Sequence, residues 1–164
     1  MRLALDTCIL TGLCNPKGDK PLADWFSALL EKTPAQVDLV VPEIADYELR
    51  RGLLYQASYY PDPLQRGRFL ERVKRLDWLK QQLEFLAINE QAMLRASNLW
   101  ALAKGTGRRT APEQALDGDV ILAAQALEGD CEVVTHNRRH LAVYSVPIFP
   151  LAQHLSTGRH LRKV

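Results

Sequence analysis

Cysteine is scarce in this chain: Cys8, Cys14 and Cys131 are the only three among 164 residues. An odd and scattered set excludes a disulfide framework. No paired C-x-x-C is present to suggest structural zinc, so the thiols are read as small hydrophobes in or near a core. Long apolar runs are missing too. None approaches the roughly 18 residues that a membrane-spanning helix needs, and the first residues lack the charged, apolar, small-residue order of a secretion signal. A cytoplasmic protein without a membrane partner is expected. Neither sign of charge dominates, since 21 Lys and Arg face 19 Asp and Glu for a net +2. Such a balance permits nucleic acid as a partner without implying it, because affinity depends on where positive charge clusters. Repeats and low-complexity segments are absent. "GTGRR" has neither the glycine spacing nor the lysine of a phosphate-cradling loop.

What is present is an ordinary globular composition, 47% hydrophobic and 24% charged, with a mean hydropathy of −0.18. The length suits one domain with a real core; residues 1–155 are expected to form it and 156–164 to be a loose basic tail. Leu3 to Leu5 read as a short buried strand, "CNPKGDKP" as a loop and "LADWFSALLEK" as a helix. "VDLVVP" reads as a second strand, and the helix "EIADYELRRGLLYQA" follows it. "PDPLQRGRFLERVKRLDWLKQQLEF" predicts a basic amphipathic helix, or a pair broken near Gly67, and "EFLAI" a third strand. Next come a helix from Asn89, a polar connection "GTGRRTAPEQAL", the helix "DGDVILAAQALEG", the strand "CEVVT", a turn with a short helix, and a last strand "VPIFP". Strand and helix in alternation predict an α/β domain, an α/β/α sandwich around a mostly parallel sheet.

In such sheets the functional crevice lies at the carboxyl ends of the strands. Asp6 sits at one such end, and Thr135, His136 and Asn137 follow another. Glu48 lies in the helix after the second strand, bracketed by Ala45, Leu49 and Gly52 at helical spacing. Asp117 and Asp119 open the helix "DVILAAQAL". Each acid alone has an ordinary explanation as a turn former, a solvated charge, a helix cap or a favourable first-turn charge. Together they form a set whose mutual repulsion calls for a cation, and hard oxygen ligands select Mg²⁺ or Mn²⁺. Asp117 and Asp119 lie about 200° apart on a regular helix. Both therefore point inward only if Asp117 is the cap.

"LALDTCIL", "PEIADYELRRG" with E-x-x-x-G at Glu48 and Gly52, "DVILAAQAL" with its acid at Asp119, and "VVTHNRRHL" with T-x-N at Thr135 and Asn137 resemble the PIN domain. Within that family they are most similar to the small VapC-like toxin ribonucleases. The resemblance covers nearly the whole chain and implies an α/β/α sandwich whose acids bind Mg²⁺ or Mn²⁺ and cleave RNA. Asp6, Glu48 and Asp119 match the metal-binding acids. Asn137 takes the fourth catalytic position, where the family often has Asp, so one negative charge is missing there. Thr7 and Thr135 are expected to position a water or a carboxylate, with Asp117 supporting. Arg50, Arg51, Arg138 and Arg139 flank the site as candidate RNA contacts. The resemblance also implies an antitoxin partner and a homodimer built through a helical clip, for which Tyr55, Tyr59, Tyr60, Phe69 and Trp78 offer an interface.

Two rivals remain at this stage. A dehalogenase-like phosphatase would use Asp6 as a nucleophile and place a second Asp two residues on, where Cys8 stands. A catalytically silent PIN-like RNA-binding or scaffold protein draws support from Asn137. His136 and His140 are too isolated for a zinc site and read as turn or surface residues.

Overall fold

The computed structural model describes residues 1–31, 36–105, 107 and 117–160, with side chains to 155. The connection "GTGRRTAPEQAL" lies almost wholly outside the described residues, as do Arg108 and Arg109. Four short strands, β1 (Arg2–Leu5), β2 (Asp38–Pro42), β3 (Glu84–Leu86) and β4 (Glu132–Val134), form one parallel sheet in the order β3-β2-β1-β4. Parallel neighbours need crossovers, and helices supply them. After β1 come α1 (Thr7–Cys14) and α2 (Lys20–Leu30); after β2, α3 (Glu43–Tyr59) and α4 (Pro63–Gln82); after β3, α5 (Glu90–Gly105) and α6 (Gly118–Glu128). After β4 follow α7 (Arg138–Leu141), a 3-10 turn at Ala142–Tyr144, and α8 (Leu151–His160).

Side chains alternate across a strand with period two, and both sheet faces are covered. Leu3, Leu5, Leu39, Val41 and Val134 point to one side, against Ile9, Leu10, Phe26, Leu49, Leu53 and Leu76 of α1 to α4. Ala4, Val40 and Val133 point to the other, where Val120 to Ala124 of α6 and Ala96 of α5 pack. The small alanines of "DVILAAQAL" let α6 lie close against the sheet. These layers are the expected α/β/α sandwich.

Four local expectations need correcting or completing. Residues 7–14 form a helix between the expected strand and the expected loop "CNPKGDKP", where the sequence reading assigned no element. Ile9, Leu10, Leu13 and Cys14 repeat at one and four positions, a pattern too short to stand out. Gly67 does not break α4, which runs unbroken for 20 residues behind an Asp62 cap that accepts from Gln65 N–H at 3.0 Å. "VPIFP" makes a single bridge, Val133 to Ile148, in place of a strand, because Pro147 and Pro150 lack the N–H groups a ladder requires. Of the tail expected to be loose, residues to His160 belong to α8, and 161–164 lie outside the described residues.

The two ends of the sheet treat charge differently. At the amino end Arg2 reaches Asp38 at 3.0 Å and Glu84 at 2.5 Å and donates to the Gly129 carbonyl, so both acids are neutralised. Among the described residues, no arginine pairs with the acids at the carboxyl end in this way.

Candidate active site

Asp6 is the first residue after β1 and the N-cap position of α1; its backbone is extended (ψ 158°), so the chain turns there from strand to helix. Leu5 pairs with Val134 across the sheet, which brings the residue after β4, Thr135, beside Asp6. The buried Thr135 hydroxyl donates to Asp6 Oδ2 at 2.5 Å, and the Cys8 thiol donates to the same oxygen at 3.2 Å. Burial, then the Asp6 charge, pushes the Cys8 thiol up to about 11, so it remains a protonated donor. Asn137 donates its backbone N–H to Thr135 Oγ1 at 2.8 Å, and His136 donates its own to Cys8 Sγ at 3.4 Å. The turn after β4 is thereby pinned to the turn after β1.

Glu48 reaches the same end of the sheet from α3. Its Oε2 accepts the Thr7 hydroxyl at 2.6 Å, while its carboxylate rests against Gly118, the first residue of α6. Asp119 follows one residue later, and its Oδ2 meets His140 Nδ1 at 3.1 Å. Burial raises the Asp119 carboxyl above the ordinary aspartate value; His140 pulls it down, and Asp6 and Asp117 push it up again. The mutual influence of these acids places them in one electrostatic neighbourhood.

Each of the three acids has one oxygen held and one uncommitted. Asp6 Oδ1, Glu48 Oε1 and Asp119 Oδ1 have no hydrogen-bond donor among the described residues, and no Lys or Arg there pairs with any of the three. Asp117 differs: Oδ1 caps Val120 N–H and Oδ2 accepts from the buried Tyr144 hydroxyl, both at 3.4 Å. Asp46 supplies the contrast for a buried carboxylate with a structural job. It is held by Arg50 at 2.7 Å and Lys80 at 3.4 Å.

A buried carboxylate without a cation is costly, and uncommitted anionic oxygens from three elements are the donor chemistry a hard divalent ion takes. The residues fit such an ion in kind and charge. As they stand, no three His, Cys, Asp or Glu side chains among the described residues are grouped closely enough to hold one. The hydrogen bonds just described keep the three carboxylates on their own supports.

The arginines divide. Arg50, expected as an RNA contact, braces two helices: it binds Asp46 of α3 and Asp77 of α4, both at 2.7 Å, and these bonds raise its pKa further despite partial burial. Arg51, Arg138 and Arg139 are exposed, with Arg51 over the Tyr47 ring at 5.1 Å. Asn137 is exposed and precedes α7 without capping it through its side chain. Sequence reasoning missed Cys8, His140, Tyr144 and Gly118 as parts of the site. His140 was legible in principle, three residues after Asn137 on the helix that leaves the same sheet end.

Comparison with curated proteins returns no match. Among solved structures, the fold is similar to a chain of FitAcB from Neisseria gonorrhoeae, with a TM-score of 0.68 and 19% identity over 92% of this chain and 98% of that one. A chain of VapBC-1 from nontypeable Haemophilus influenzae gives 0.67 and 22% over 93% and 99%. A toxin-antitoxin complex from Klebsiella pneumoniae gives 0.56 and 17% over 90% and 97%. At these identities the likeness establishes the fold. The PIN domain family profile matches residues 3–146, and with that span the chain belongs to the PIN domain family.

Proposed function

We propose that the protein is a divalent-metal-dependent endoribonuclease acting in the cytoplasm as the toxin of a toxin-antitoxin pair. The observation that carries this reading is the set of half-held carboxylates, Asp6, Glu48 and Asp119, borne by separate segments at the carboxyl end of the sheet, where no Lys or Arg among the described residues pairs with any of them. These three would hold Mg²⁺ or Mn²⁺. Bound there, the ion supplies Lewis acidity, acidifying water for in-line attack and neutralising charge that builds on the phosphodiester oxygens.

The chain's own residues do the positioning. Thr135 and Cys8 fix Asp6, Thr7 fixes Glu48 and His140 orients Asp119. Asp117 keeps α6 capped and serves the site from outside. Asn137, bound to Thr135 through its backbone, presents an amide carbonyl in place of a fourth charge. Arg51, Arg138 and Arg139 lie exposed to meet RNA phosphates. A covalent Asp6 mechanism is disfavoured because the position two residues on is a thiol that donates to Asp6 itself.

An antitoxin partner is supported by the shared fold with a chain of a toxin-antitoxin complex. Homodimerisation is supported by the exposed aromatics Tyr55, Tyr59 and Trp78 on α3 and α4. The deciding comparison is wild type against Asp6→Ala in Mg²⁺- or Mn²⁺-dependent RNA cleavage and in growth arrest on expression. Both activities are expected to disappear in the variant. Equal cleavage by the two proteins would end the metal mechanism, and no cleavage by either would favour the silent scaffold that Asn137 admits.

A further inference from the structure

Gly118 stands between Asp117 and Asp119 at the start of α6, and its backbone does not demand glycine. Its φ is not positive; among the described glycines only Gly107 has a positive φ, of 71°. What it lacks is room. A β-carbon built there would lie 2.0 Å from Glu48 Oε1, 2.7 Å from Cδ and 3.3 Å from Oε2. Oε2 is the oxygen that accepts the Thr7 hydroxyl, so the carboxylate is clasped between Thr7 on one side and the bare α-carbon of Gly118 on the other. The N-terminal turn of a helix also favours a negative charge at that place.

We infer that Gly118 is a positioning residue for the nuclease site: by having no side chain, it sets where the Glu48 carboxylate lies relative to Asp119. The inference rests on the metal-dependent reading for its functional consequence but not for its geometry. The atoms that a side chain would strike are the end of a flexible glutamate, so a methyl group at 118 moves Glu48 and leaves α6 folded. Alanine is also the better helix former. A residue that merely filled space would instead lower stability when changed.

The test uses the full chain with Gly118→Ala, Glu48→Ala and the double variant. A crystal structure of metal-free Gly118→Ala is expected to show Glu48 displaced and its bond from Thr7 lost, with a melting temperature no lower than that of wild type. Retention of the Thr7 bond, or a large fall in melting temperature, would overturn the inference. Mn²⁺ binding followed by electron paramagnetic resonance is expected to weaken by about 10-fold or more in Gly118→Ala, as for other changes that disturb ligand support. In the Glu48→Ala background the same change should have no further effect. An equal loss in that background would show Gly118 acting by another route and would also overturn the inference. If wild type itself binds no Mn²⁺, the proposed function fails, while the metal-free structure still decides the positioning role.

Discussion

Replacing Thr135 by valine keeps the shape of the side chain and removes one hydroxyl, which tests how far Asp6 depends on being held. Thr135 is 3% exposed and Asp6 8%, so water cannot simply replace the bond. A hydrogen bond to a charged group contributes about 1.5–3 kcal/mol. The Cys8 thiol remains as a donor, longer at 3.2 Å, and Asn137 is exposed, so its freed N–H rebinds water at little cost. A net loss of about 2 kcal/mol follows. At about 2.1 cal/mol/K per residue, the unfolding entropy is roughly 0.34 kcal/mol/K, so melting falls by about 6 °C. Because Asp6 would then be held by the Cys8 thiol alone, affinity for Mn²⁺ should drop about 10- to 100-fold. Differential scanning calorimetry and a Mn²⁺ titration measure the two effects, and Thr135→Ser, which keeps the hydroxyl, should restore both. A melting temperature within about 1 °C of wild type, together with unchanged Mn²⁺ affinity, would refute the reasoning.

The arginines should separate by assay. Arg50→Ala leaves buried Asp46 with Lys80 alone and is expected to cost about 2 kcal/mol in chemical denaturation, below the usual cost of fully orphaning a buried charge. Arg138→Ala with Arg139→Ala should leave melting unchanged and lower the salt dependence of RNA binding by about 1.4 in log-log slope; an unchanged slope would remove both from the RNA contact. Asp119→Asn should stabilise the metal-free protein at neutral pH. The folded carboxyl titrates above its unfolded value because of burial, so the folded state holds the extra proton and wild type loses stability as pH rises through that window. The advantage of the variant should vanish in acid, and added Mn²⁺ should reverse the order. A variant less stable than wild type at neutral pH without metal would contradict the burial argument.

The layers were legible because hydrophobic periodicity reports which side of a strand or helix is buried, and Leu3, Leu5, Leu39 and Val41 alternate with Ala4 and Val40 across two cores. Helix α1 was not, since eight residues give two turns and its cap, Asp6, makes no side-chain hydrogen bond that would mark a start. The acids were visible as types at strand and helix ends. Their supports were not, because the Thr135 hydroxyl lies 129 positions from Asp6 and the Thr7 hydroxyl 41 from Glu48. Arg50 makes contacts that its sequence neighbours did not announce. Its place beside Glu48 in sequence suggested substrate, yet a helix turns neighbours to different faces, and Asp46 one turn back captured it.

That capture bears on the site itself. Asp46 and Asp6 are both buried acids, 7% and 8% exposed, yet one takes two cationic partners and the other takes a hydroxyl and a thiol. A carboxylate serving stability alone would be expected to follow Asp46, since pairing offsets its desolvation. Neutral donors at Asp6 orient the carboxylate without cancelling its charge, and the same holds at Glu48 with Thr7. Asp119 goes part of the way, because His140 can carry a charge and compete for the carboxylate when protonated. The difference in partners, more than the count of acids, is what sets the carboxyl end of this sheet apart and what the proposed cation site rests on.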